Sequence, residues 1–321
     1  MCQSVPMSID ERGAVCVLGT GLIGGSLLRA AAASGYRAFG YNRSESGVSA
    51  ACQDGFDVSG DLSAVLIRAA EASALLVIAV PMPAVASLLA DIAALAPGCP
   101  LTDVVSVKGP VLDAVRKHGL EARYVGGHPM TGTAQSGWAA TDSDLFQGAV
   151  WAVGVDEGTR AEPWSRVVRL ALDCGSVVVP VLAEEHDQAV ARISHLPHVL
   201  AEALAAAGAE GGKLALGLAA GSFRDGTRVA GTAPDLVRAI CEPNAAALGR
   251  VLDEAIETLV TARDSLRADG DLGELVETGF RGRTAYDDRT TWDITGITPG
   301  TGDWLGELHR AGRDGGVLRA L

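Results

Sequence analysis

The sequence predicts an α/β protein in which an N-terminal, doubly wound parallel sheet is followed by an all-helical C-terminal domain. Three observations carry that expectation. Short β-branched runs alternate with helical stretches through the first half, the pattern of strands joined by right-handed crossovers. After Leu182 the texture changes to long Ala- and Leu-rich stretches with apolar residues at helical spacing. A chain of 321 residues is also too long for one comfortable core, so two domains are expected.

The elements follow in order. AVCVLG (Ala14–Gly19) reads as a buried strand and Leu22–Ser34 as a helix. Tyr36–Tyr41 is a second strand, with a helix around Ser46–Gln53. ALLVIAV (Ala74–Val80) and LTDVVS (Leu101–Ser106) are further strands, each followed by a helix, and RYVGG, AVWAVGV and SVVVPV read as three more. Glu184–Glu210 is a long helical pattern kinked or broken at Pro197. Asn244–Ala268 is another, started by Pro243 and Asn244 and striped by Leu248, Val251, Leu252, Ala255, Ile256 and Leu259. The expected domains are 1–182, a dinucleotide-binding sheet, and 183–280, a helical domain. The tail 281–321 has no assignable pattern and is expected to be extended, packing on a partner subunit.

Composition narrows the class. Apolar residues at 48% and charged residues at 20% fit a globular chain. The net charge of −13 argues against nucleic acid or an anionic membrane surface as partner, while local cations still permit a small anionic substrate. Six scattered cysteines (Cys2, Cys16, Cys52, Cys99, Cys174, Cys241) form no CxxC pair, which suggests a reducing compartment and no structural zinc. The first residues lack an apolar stretch of signal-peptide length. Leu75–Ala96 is apolar but carries Pro81, Pro83 and Asp91, and reads as strand plus helix rather than a span. A soluble, cytoplasmic protein is expected.

Gly19-Thr20-Gly21-Leu22-Ile23-Gly24 is a GxGxxG fingerprint between a buried strand and a helix, the context that gives the pattern meaning. Gly19 permits the tight turn, Gly21 a close pyrophosphate approach and Gly24 close helix–strand packing. Leu22 and Ile23 begin the helix whose N-terminal N–H groups face the phosphates. Such a site belongs to a Rossmann-type sheet, and Val80 and Pro81 at the end of another strand are expected beside the cofactor. The second strand ends in Asn42-Arg43-Ser44 with no acid to bind a ribose 2′-hydroxyl, and Arg43 suits a 2′-phosphate. That pattern favours NADP over NAD, although NAD stays open if Arg43 is only a solvated surface charge.

Two further segments follow strands, Asp103–Gly109 (DVVSVKG) and Gly126–Gly132 (GGHPMTG). His128 suits removal of a proton from an alcohol as hydride leaves, and Ser106 suits binding the same hydroxyl or orienting the ring. An isolated histidine is more often structural, but the glycine pair before His128 and the proline after it indicate a shaped loop. His195 and His198 make a poor metal pair, since no carboxylate lies between them at ligand spacing.

With SHLPH around His195 and FRDGTRVA (Phe223–Ala230), these segments resemble, in order, the prephenate/arogenate dehydrogenase family across roughly residues 14–260. The resemblance implies oxidative decarboxylation of prephenate to 4-hydroxyphenylpyruvate with hydride transfer to NAD(P), or of arogenate to tyrosine, in tyrosine biosynthesis. It implies that His128 accepts a hydrogen bond from the ring 4-hydroxyl and that Ser106 positions both. It places His195 near the substrate side chain and cofactor, has Arg228 bind a substrate carboxylate, and makes the helical domain the contact of a homodimer. By residue type alone Arg228 would be a loop surface charge, and Asp225 its ion-pair partner. The sequence departs from some relatives at Ala134, where they carry an acid, and near Val237, where they carry a tryptophan. Substrate choice and tyrosine inhibition do not carry over for that reason. Two other readings stay open. One is another Rossmann-plus-helices dehydrogenase, which would rely on a lysine or aspartate in its helical domain. The other is a non-catalytic nicotinamide sensor, which would need neither His128 nor Arg228.

Overall fold

The computed structural model describes residues 12–133 and 135–321. The chain divides into two compact units, one running to His186 and including Asp293–Leu321, the other Asp187–Trp292.

The first unit begins β1 (Ala14–Leu18), α1 (Leu22–Ala33), β2 (Arg37–Tyr41), α2 (Glu45–Gln53), β3 (Val58–Ser59), α3 (Leu62–Glu71), β4 (Leu75–Ile78), α4 (Met82–Leu95), β5 (Leu101–Asp103), α5 (Gly109–Lys117) and β6 (Tyr124–Val125). These six strands form one parallel sheet in the order β3-β2-β1-β4-β5-β6. Successive side chains of a strand point to opposite faces, and β1 shows it: Val15 and Val17 enter one core cluster, Cys16 and Leu18 the other. A sheet covered on both faces needs continuous apolar strands, which is why β1 and β4 are buried at every position.

Of the three last predicted strands only the start of RYVGG joins this sheet, as its edge strand β6. RYVGG splits into β6 and β7 (Gly127–Pro129), and β7 pairs antiparallel with β8 (Val150–Gly154) in a separate three-stranded sheet. A parallel crossover usually carries a helix, and among the described residues the β7–β8 connection holds the short 3₁₀ turn Trp138–Ala140 and no α-helix. Between β8 and β9 (Val177–Val181) lies α6 (Ala161–Asp173), and those two strands are parallel. Helix α7 (Ala183–Val190) follows.

In the second unit a π-helical segment, Ala191–His195, precedes α8 (Leu196–Glu210). The break expected at Pro197 therefore falls just before it. The proline occupies the first turn of α8, where a missing N–H costs nothing. Then come α9 (Gly212–Leu218), α10 (Gly221–Gly226), α11 (Pro234–Cys241), α12 (Ala245–Asp269) and α13 (Gly273–Asp287). Gly270 ends α12 in the left-handed region at φ 69°. The small buried core of this unit holds Ala191, Ala247 and Val251, with Leu196 packed against it.

The tail is folded, where an extended arm on a partner is expected: its first residues end α13, and from Asp293 it belongs to the first unit. It forms β10 (Trp292–Asp293), α14 (Trp304–Arg313) and β11 (Gly316–Val317). Leu318 and Val178 exchange backbone hydrogen bonds of 2.8 and 3.0 Å, covering the edge of the second sheet. The Trp304 ring meets Trp164 of α6 edge-on, with centroids 5.4 Å apart.

Candidate active site

The glycine turn lies at the carboxyl ends of β1 and β4. Gly19 has φ +107°, a region closed to most side chains, and a Cβ there would come 2.9 Å from Val80 Cγ1. At Gly24 a Cβ would overlap the Gly19 carbonyl oxygen and lie 2.8 Å from Ala79 Cβ, so only glycine lets α1 sit this close to the strands. Gly21 is different: a Cβ there would meet nothing within 4 Å. Open space thus lies before the start of α1, whose first N–H groups at Leu22 and Ile23 have no intrahelical partner. That cradle fits a dinucleotide pyrophosphate.

The end of β2 is more occupied than its sequence suggests. The Asn42 side chain donates from Nδ2 to Thr20 Oγ1 at 2.9 Å and accepts from the Ser44 N–H at 2.9 Å, tying this strand end to the glycine turn. Ser44 caps α2 by accepting from the Gly47 N–H at 3.3 Å. Arg43 between them is exposed. Val80 and Pro81 follow β4, and Pro81 leads into α4.

His128 stands on β7, and a buried polar network sets its place. The fully buried Asp103 at the end of β5 forms an ion pair with Lys108 and accepts from Tyr124 Oη at 2.7 Å. It also accepts from the Val105 N–H at 3.0 Å and the Gly127 N–H at 3.2 Å. Lys108 Nζ donates in turn to the Gly127 carbonyl at 2.6 Å. Both backbone groups of the residue before His128 are thereby fixed to the loop that carries Ser106. The far end of the His128 loop is anchored as well. Trp138 Nε1 and Arg29 donate to Asp54 at 2.9 and 2.5 Å, and Arg29 Nε donates to Thr141 Oγ1 at 2.7 Å. The Trp138 hydrogen bond, then that of Arg29, holds the Asp54 carboxyl below its ordinary range.

The imidazole of His128 meets that of His186 on α7, Nδ1 to Nε2 at 2.9 Å, with the rings edge to face. Among the described residues no hydrogen bond joins Ser106 to His128. Ser106 is half-buried in the loop after β5.

His195 and Arg228 belong to the helical unit. His195 is 1% exposed, and its Nδ1 lies 3.1 Å from Asn244 Nδ2, which also donates to the Asp187 carbonyl at 2.8 Å. An amide that donates to a carbonyl presents its nitrogen there, so Nδ1 of His195 accepts and a neutral ring carries its proton on Nε2. Asn244, read as a start signal for α12, makes no side-chain cap. Arg228 is exposed on a 3₁₀ turn, and Asp225 pairs with Arg224 at 3.3 Å rather than with Arg228. Phe223 of the same motif lies against Gly208 of α8, where a Cβ would collide with its ring. Ala134 lies outside the described residues, and Val237 falls on α11.

Asp103, Lys108, Tyr124 and His186 do not stand out in the sequence. An acid inside an apolar strand is the one available signal, since a buried carboxylate needs a cation nearby, and Lys108 is five residues on. His186 sits in AEEHDQAV, an ordinary polar helix start.

A glycine turn that opens a helix at the carboxyl end of a parallel sheet defines a dinucleotide-binding protein of the Rossmann class. Two family models match it: prephenate dehydrogenase, nucleotide-binding domain, over residues 27–180, and prephenate dehydrogenase, dimerization domain, over residues 182–279. The chain belongs to the prephenate dehydrogenase family. A crystal structure of a candidate prephenate dehydrogenase from Corynebacterium glutamicum is 49% identical with a TM-score of 0.90, covering 95% of this chain and 98% of that one. The cyclohexadienyl dehydrogenase of Zymomonas mobilis is 32% identical over 80% of this chain and 90% of its own length. The prephenate dehydrogenase of Bacillus subtilis is also 32% identical, over 70% of this chain and 62% of its own length. The chain spans 48% of a Lactococcus lactis relative and 62% of the Bacillus one. Among the described residues no helix is long and apolar enough to cross a membrane.

Proposed function

We propose that the protein is a cytoplasmic NAD(P)-dependent prephenate dehydrogenase of tyrosine biosynthesis. The observation that carries this reading is His128, set at the carboxyl edge of the nucleotide-binding sheet by the Asp103–Lys108 network in a family of prephenate dehydrogenases. The nicotinamide, when bound, supplies a hydride acceptor. Gly19, Gly21 and Gly24 with the Leu22 and Ile23 N–H groups hold the pyrophosphate, and Val80 and Pro81 line the cofactor side. His128 accepts the proton of the ring 4-hydroxyl at Nε2 as C4 loses hydride, so the oxygen becomes a carbonyl. Loss of carbon dioxide returns the electron pair to the ring, and the resulting phenolate takes the proton back from His128. No proton is gained or lost overall. Ser106 orients the hydroxyl, Arg228 pairs with a substrate carboxylate, and His195 borders the substrate side chain and cofactor. Arogenate is the second substrate to test, because the Zymomonas relative is a cyclohexadienyl dehydrogenase.

A homodimer through the helical domain completes the proposal, supported by the dimerization-domain match. The test is absorbance at 340 nm with prephenate and arogenate, each with NAD and NADP. His128→Asn should lower turnover about 10²–10⁴-fold and remove the acidic limb of the pH–rate profile, because a protonated imidazole cannot accept. Arg228→Ala should raise KM and leave cofactor affinity intact. Full turnover in the asparagine variant would make His128 structural.

A further inference from the structure

We infer that His186 is a positioning residue that sets which nitrogen of His128 faces the substrate; the inference rests on the proposed role of His128 as proton acceptor. The two rings meet through Nδ1 of His128 and Nε2 of His186 at 2.9 Å, a full hydrogen bond with room for one proton. Two neutral arrangements satisfy it. In one, His128 donates from Nδ1, and its Nε2 is bare. In the other, His186 donates from Nε2, and His128 carries its proton on Nε2. Only the first leaves a lone pair for the hydroxyl proton, so His186 must act as the acceptor and keep its own proton on Nδ1.

The surroundings make His186 a fixed partner of His128 rather than a passing contact. It is 3% exposed, and its rotation is limited by the edge-to-face packing of the two rings, whose centroids are 5.1 Å apart. Its helix is pinned from two sides. Asp156 accepts from the Ala183 N–H at 3.0 Å at the start of α7. On the residue before His186, Glu185 meets His309 at 2.7 Å and Arg313 at 3.7 Å, both from α14. The C-terminal tail thus braces the helix that carries the acceptor. When the substrate O–H bond breaks and an N–H bond forms at Nε2 of His128, the cation strengthens the Nδ1–H···Nε2 bond to His186 without moving either ring.

The experiment is steady-state kinetics on His186→Ala and His186→Gln, alone and combined with His128→Asn. Glutamine places a carbonyl oxygen near the former Nε2 and accepts the same hydrogen bond without titrating. His186→Ala should lower kcat about 10- to 100-fold, the order of loss seen when the hydrogen-bond partner of a metal-bound imidazole goes, with KM within about twofold. His186→Gln should recover most of that rate. In the His128→Asn background His186→Ala should add no further loss, because its effect passes through the absent ring. An unchanged kcat in His186→Ala, or the same fold-loss in both backgrounds, would overturn the positioning role while leaving His128 as acceptor. Full turnover in His128→Asn alone would instead overturn the reading of His128. Nitrogen-15 spectra of histidine-labelled wild-type protein test the same point without a variant. A neutral His128 protonated on Nδ1 is expected, and protonation on Nε2 would overturn the inference.

Discussion

Arg43 shows how much a single residue can decide. An acid at the end of β2 would bind a ribose 2′-hydroxyl, and Asn42 in its place has its carboxamide engaged by Thr20 and by the Ser44 N–H. Asn42 therefore shapes the turn, and the exposed Arg43 is the residue proposed to meet a 2′-phosphate. Arg43→Ala should weaken NADP about 10-fold or more in a fluorescence titration and change NAD little, since an arginine–phosphate contact is charge-assisted. Equal losses for both cofactors would return Arg43 to a solvated charge. The same residue-level logic fixes His195, whose Nδ1 is engaged by Asn244, so any role it has toward substrate or cofactor is played from Nε2.

At the scale of elements, the loops after β5 and before β7 act as one piece because Asp103 and Lys108 bind both. Lys108→Met would remove the cation from a buried carboxylate, with its bonds to Asp103 and the Gly127 carbonyl. Breaking such a pair typically costs about 3–5 kcal/mol, which urea unfolding would register as a lower midpoint with an unchanged slope. A loss under about 1 kcal/mol would mean that Tyr124 and the backbone N–H groups satisfy Asp103 alone. The Asp54 anchor of the same loop has the opposite exposure to acid. Its carboxyl is held below the ordinary value, so its contribution is present above the unfolded carboxylate range and fades as pH falls through the depressed value. Much of this architecture was legible in the chain itself. The β1–glycine turn–α1 unit follows from an apolar run and three glycines, and α12 from its stripe of apolar residues. The second sheet was not, because a β-rich run such as Val150–Gly154 does not encode which neighbour it pairs with, or in which direction. His186 was not, because its partner is 58 residues away and no local pattern marks the pair.

For the whole molecule, the helical unit is the part that its own sequence leaves unfinished. Its buried apolar residues are mostly small, Val190, Ala191, Ala201, Cys241, Ala247, Leu248 and Val251, while large apolar side chains on the same helices face outward. On α12, Ile256, Leu259 and Val260 fall on one side at spacings of three and four, and each is exposed. On α13, Val276 and Phe280 repeat that spacing, and Phe280 is 72% exposed. Surface of this kind, at about 25 cal/mol per Å² of apolar area removed from water, strongly favours a cover. The dimerization-domain match over residues 182–279 supports a second copy as the proposed cover. Three results should follow. Light scattering at micromolar concentration should give twice the chain mass of 32.8 kDa. Leu259→Glu with Phe280→Glu should shift the population toward monomer, because burying an unpaired carboxylate in an apolar contact is costly. The melting temperature of the wild type should rise with protein concentration, as it does when association and folding are linked. A monomer at micromolar concentration would contradict the proposal, and a dimer indifferent to both glutamates would place the contact on another face of these helices.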